Sequence, residues 1–165
     1  MILNRQKKVR LAEQPLTEFL GRILREVNFA DAEVSIAFVS DAEIAKWNQN
    51  FRNNKGPTDV LSFPALSRRR VERHARRHAM QKSLVTGANG KSSAQAGQFF
   101  LGDIAIAPET ARRYAEKNGR TLDSEIRILM LHGVLHLMGY DHENKRDYGQ
   151  MNRIEHKLRR RLGLA

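Results

Sequence analysis

The reading turns on DSEIRILMLHGVLHLMGYDH, residues 123–142. Ile126, Leu129, Met130, Leu135 and Leu137 recur through it at helical spacing, which predicts a buried helix that begins near Asp123 or Ser124 and ends at Gly139. Its second half holds three of the chain's six histidines, His132, His136 and His142. On a helix, His132 and His136 lie one above the other at i and i+4, about 5–6 Å apart at Cβ, so both imidazoles can meet one ion. Gly139 can take a positive φ, which lets the chain leave the helix and swing His142 back to the same metal. Catalytic zinc typically takes three protein ligands, with imidazole nitrogens at about 2.0–2.1 Å, and keeps a fourth position for water. A pair of histidines at this spacing arises by chance. The third, placed behind a glycine, tips the reading to one Zn2+ held by three histidines plus water.

Outward from this helix, strand and helix patterns alternate. Leu16, Phe19, Leu20, Ile23, Leu24 and Val27 form an amphipathic stripe that starts at Pro15. Val34, Ile36 and Phe38 alternate as a strand, and Ser40 with Glu43 makes a capping box for a helix to about Phe51, with Ile44 and Trp47 inward. After the turn residues NNKGP, Val60, Leu61 and Phe63 read as a short strand stopped by Pro64. Phe99 to Ala107 reads as a buried strand, and Pro108 opens a helix that ends near Gly119. Met151, Ile154, Leu158 and Leu162 give a C-terminal helix with a basic outer face. The expected class is α/β (α+β): a small mixed, mainly parallel sheet of about four strands covered by helices, with the metal site on a central helix and the turn after it.

Residues 67–98 break the pattern. They carry eight basic side chains against Glu72 alone, and Leu84 to Gln98 is rich in Gly, Ser, Ala and Gln. The expectation is a basic, flexible insertion, with a helix of few inward residues over Arg68 to Lys82, inside a single domain spanning residues 1–165. His74, His78 and His156 stand among arginines and lysines and read as solvated residues of basic faces.

Composition limits the chemistry further. The absence of cysteine excludes disulfides, thiolate zinc sites and a cysteine nucleophile. A formal charge of +11 attracts polyanions such as nucleic acid. No segment reads as a membrane span, and no apolar stretch follows the charges of MILNRQKKVR, so the expected location is the cytoplasm. The histidine string is similar to the H-E-x-x-H-x-x-G-x-x-H signature of metzincin proteases, but Gly133 stands where their general base would be, which weakens a peptidase reading. Asp141 beside the turn reads as a cap before it reads as a base. Asp103 and Asp59 are candidates either to accept from ligand N–H groups or simply to cap backbone.

Three blocks carry a family resemblance: HGVLHLMGYDH at 132–142, Asn48, Phe51 and Arg52 followed by PTDVLSFP at 57–64, and LGDIAIAPE at 101–109. Together and in this order they resemble the signature blocks of the YbeY family of endoribonucleases, over roughly Ala30 to Leu162 apart from the insertion. The resemblance implies a metal-dependent, single-strand-selective endoribonuclease that processes the 3′ end of 16S ribosomal RNA and serves ribosome maturation and quality control. Single-stranded RNA, ribosomal RNA and the small ribosomal subunit would be its partners. It also implies zinc on His132, His136 and His142, with Arg52 as the functional arginine of the cleft. Phosphodiester cleavage agrees with that role, since a guanidinium can hold two phosphoryl oxygens at once, although an arginine at a helix end also suits the helix dipole.

The chain departs from the family in an N-terminus short for the usual first strand and in the long basic insertion, which reads equally as an added RNA or ribosome clamp or as a solvated excursion without a task. Two alternatives stay open. A zinc metalloprotease-like hydrolase needs a carboxylate base, and a non-catalytic ribosome-binding factor with structural zinc needs a fourth ligand such as Glu125 or Glu143.

Overall fold

The chain runs β1 (Ile2–Asn4), α1 (Glu13–Glu26), β2 (Ala32–Phe38), α2 (Asp41–Arg52), β3 (Val60–Pro64), α3 (Arg68–Val85), β4 (Phe99–Ile106), α4 (Pro108–Lys117), α5 (Leu122–Leu137) and α6 (Lys145–Leu162). This is a computed structural model that describes residues 1–85, 99–140 and 145–164. The later part of the expected insertion, residues 86–98, and the predicted ligand His142 with its neighbours Asp141 and Glu143 lie outside the described residues.

The strands form one mixed sheet in the order β1-β2-β4-β3, with β1, β2 and β4 parallel and β3 antiparallel to β4. Alternation in β2 works as the sequence predicts: Val34, Ile36 and Phe38 are buried on one face. The short N-terminus still forms its strand. Ile2 pairs with Ile36, the N-terminal ammonium donates to the Val34 carbonyl at 2.8 Å, and Arg5 N–H donates to the Phe38 carbonyl at 2.8 Å. Three apolar residues suffice because polar bonds at both ends fix the edge.

Helix α5 is buried on almost every side, among α1, α4, α6 and the sheet face carrying Ile104 and Ile106. A helix apolar all round belongs in the interior, and this one is the axis of the domain. It starts at Leu122, earlier than the pattern suggests, because the Thr121 hydroxyl accepts from Ser124 N–H at 3.2 Å. The opposite sheet face is covered at one end by α2, through Val39, Ile44, Leu61, Ala105 and Ala107. Similarly, α1 begins at Glu13, so Pro15 sits within its first turn rather than at its first position.

Helix α3 forms over the stretch expected to be helical, with few inward residues, and His74 on it departs from the sequence reading. The helix is docked, with Val71 buried and Ala75 packed against the core. His74 is not a solvated face residue: its ring stacks on Phe99 with centroids 3.8 Å apart and an interplanar angle of 13°, and its Nε2 lies 3.0 Å from Asp31 Oδ2. Charge density along the segment concealed a narrow docking stripe of Val71, His74 and Ala75. His156, by contrast, is exposed as expected. Among the described residues no helix is long and apolar enough to cross a membrane.

Candidate metal centre

The last turns of α5 present His132 and His136, both half-buried, on the same side of the helix. Their Nε2 atoms face each other at 3.1 Å. The other nitrogen of His132, Nδ1, lies 3.1 Å from Glu155 Oε2 on α6. Glu155 is itself buried and holds Arg159 with its second oxygen. Burial pushes the Glu155 carboxyl up, but the hydrogen bond to His132 and the Arg159 charge outweigh it, so the carboxyl sits below its ordinary range. An ionised carboxylate at Nδ1 keeps the proton there and leaves the Nε2 lone pair directed at His136.

A second lone pair on His136 Nε2 would repel that of His132 unless a proton or a cation lay between them. Two imidazole nitrogens bound to one tetrahedral zinc at about 2.0–2.1 Å would stand roughly 3.3–3.4 Å apart. The observed separation is close to that, so the donor pair fits a metal of this size. Among the described residues no third His, Asp or Glu completes a metal-binding group.

The turn after α5 forms as the glycine requires. Gly139 has φ +92°, its N–H donates to the His136 carbonyl at 2.9 Å, and Tyr140 N–H donates to the Leu135 carbonyl at 3.2 Å. These two bonds close a Schellman motif. A Cβ on Gly139 would stand 2.9 Å from Arg68 Cβ and Cγ, so the turn also lets the start of α3 pack against it.

Arg52 is the last residue of α2, which Asn53 ends with φ +54°. With Asn54, Ser62, His136 and Tyr140 it lines a cleft of about 490 Å3. Arg52 is exposed and makes no ion pair among the described residues. The wall is tied together by Ser62, whose hydroxyl donates to the Gly133 carbonyl at 3.4 Å, and by buried Asn48, whose amide donates to the Gly56 carbonyl at 3.0 Å.

The other candidates lie elsewhere. Asp59 Oδ1 accepts from Val60 N–H at 2.9 Å and so caps β3. Asp103 is exposed on the sheet face turned away from α5, beside Trp47 and Phe63. Glu125, the candidate fourth ligand, is paired with Arg120 at 2.8 Å near the start of α5, about 10 Å along the helix from His132. The carboxylate that contacts His132 is Glu155, which sequence reasoning missed. Its signal was an acid four residues after Met151, on the same inward face of α6.

A sequence model described as endoribonuclease YbeY matches residues 1–163. The chain belongs to the endoribonuclease YbeY family. An endoribonuclease YbeY of Koribacter versatilis is 37% identical over 164 residues, spanning 99% of this chain and 86% of the relative. That of Pelotomaculum thermopropionicum is 36% identical over 170 aligned positions, spanning 100% and 97% respectively. A solution structure of a Thermotoga maritima protein superposes with a TM-score of 0.56 at 26% identity, covering 95% of this chain and 85% of that one.

The blocks resembling the YbeY family now have structural reasons. Gly102 in the LGD block has φ +144° beside a register shift between β2 and β4, and a Cβ there would stand 2.3 Å from the Phe63 carbonyl oxygen. Gly133 in the histidine block faces Ile104, and a Cβ would come within 2.8 Å of that side chain.

Proposed function

We propose that this chain is a metal-dependent, single-strand-selective endoribonuclease that acts on ribosomal RNA, at the 3′ end of the 16S RNA of the small subunit. The observation that carries the reading is the 3.1 Å approach of the His132 and His136 Nε2 atoms, in a chain whose Arg52 lines the same cleft as His136. Relatives 36 and 37% identical that bear the name endoribonuclease YbeY support the reaction class.

In this reading His132, His136 and His142 hold one zinc ion, which when bound supplies Lewis acidity toward a phosphoryl oxygen. Glu155 keeps the His132 ring oriented and its Nε2 deprotonated. Arg52 binds the scissile phosphate and neutralises the charge that grows on its oxygens during cleavage. Asn48 and Ser62 hold the cleft walls at fixed separation, so the phosphate is received by groups already in place.

A peptidase reading is weaker for a physical reason beyond the missing carboxylate. Position 133 points at Ile104 in the core, so a glutamate there would be buried against β4. The experiment incubates zinc-loaded protein with single-stranded RNA, duplex RNA and casein, beside His132→Ala and Arg52→Ala purified in parallel. Cleavage of single-stranded RNA that both variants lose is the expected result, and casein cleavage without RNA cleavage overturns the proposal.

A further inference from the structure

We propose that Arg70, Arg73 and Arg77 on α3 form a second phosphate-binding subsite for single-stranded RNA, outside the histidine cleft; the inference rests on the RNA-directed reading above. The three residues are spaced i, i+3 and i+7, which puts their side chains along one stripe of the helix. With His74 and Phe99 they line a cleft of about 330 Å3 between α3 and the start of β4. All three are exposed, and none makes an ion pair among the described residues. Glu72 is bonded to Arg68 at 3.0 Å, on a different side of the helix from this stripe.

Two features distinguish this cluster from a solvated basic face. The first is that the helix carrying it is fixed: buried Val71 and the His74 ring stacked on Phe99 hold α3 to the body, so the arginines project into a preformed cleft. The second is electrostatic. Arg70 with Arg73 and Arg73 with Arg77 are like-charge neighbours on one helix face, a destabilising arrangement that an anion between them would relieve. A phosphodiester fits that requirement, and the partly exposed Phe99 leaves an aromatic edge at the floor of the cleft.

The start of α3 also lies beside the histidine cleft. Arg68 at the start of α3 packs against the Gly139 turn, with its guanidinium 5.9 Å from the centre of the Tyr140 ring. From Arg70 to Arg77 the helix rises about 10 Å, which spaces the three arginines along the length of a bound strand.

The test measures binding of the full-length protein to a labelled single-stranded oligoribonucleotide by fluorescence anisotropy across a salt series, with EDTA present so that no turnover intervenes. The Arg70→Gln, Arg73→Gln, Arg77→Gln triple variant should lower the slope of log affinity against log salt by about 2, and Arg73→Gln alone by about 0.7, from counterion release per phosphate contact on a single strand. A second triple variant, Arg10→Gln, Arg112→Gln, Lys117→Gln, removes the same charge elsewhere and should change the slope less. An unchanged slope in the first triple variant, or an equal fall in the second, overturns the subsite. Failure of the wild-type protein to cleave RNA, with the slope still falling in the first variant, would refute the nuclease reading and leave the subsite standing.

Discussion

Glu155 Oε2 lies 3.1 Å from His132 Nδ1, so a carboxylate from the C-terminal helix fixes the orientation of a histidine on the central one. That contact joins the packing of α6 on α5 to the chemistry of the cleft. Glu155→Gln keeps the shape but removes the charge, and should weaken zinc binding about 10–100-fold. Competition with a chromophoric chelator measures this directly. Unchanged zinc affinity would mean that Glu155 only packs.

Arg52 acts on the phosphate and not on the metal in this account. Arg52→Ala should lower the rate of RNA cleavage by about a hundredfold or more, the scale seen when one preorganised donor to a developing oxyanion is lost. Zinc content should be unchanged. Arg52→Lys should recover only part of the rate, because an ammonium cannot make the bidentate contact. Single-turnover kinetics with metal analysis on the same samples separates the two effects, and a variant that loses zinc together with activity would contradict the assignment.

Gly133 is required by the approach of α5 to β4. Gly133→Ala puts a Cβ 2.8 Å from Ile104 Cδ1, and overpacking of this kind typically costs about 1–3 kcal/mol. Denaturant unfolding should show the loss, and combining the change with Ile104→Val should restore part of it. A fully stable Gly133→Ala protein would show that α5 can stand further from the sheet.

His74 should be a stability residue. Its stacking on Phe99 predicts that His74→Ala loses about 0.5–1.5 kcal/mol beyond the loss of buried area. Chemical denaturation monitored by circular dichroism reads this. Stability equal to wild type would return His74 to the solvated class that its neighbours suggest.

Much of the architecture was legible because periodicity reports burial. The stripe from Leu16 to Leu24, the alternation of Val34, Ile36 and Phe38, and the long apolar run into His132 each pointed to the element that forms. The i, i+4 pair His132 and His136 was legible for the same reason, since helical geometry alone brings the rings together. What stayed hidden depends on tertiary contacts. Glu155 reads as one more charge in a basic helix until α6 is packed on α5, and His74 reads as solvated until Phe99 and Asp31 are beside it. Asp103 read either as an acceptor for ligand N–H groups or as a backbone cap, and strand alternation turns it away from α5.

X-ray absorption at the zinc edge of the purified full-length protein, beside His136→Ala, tests the centre most directly. Wild type should hold one zinc per chain with three imidazole nitrogens at about 2.0–2.1 Å and one oxygen donor from solvent, and the variant should lose the ion. Absence of zinc from wild type, or a shell of four protein side chains with no solvent position, would contradict the account.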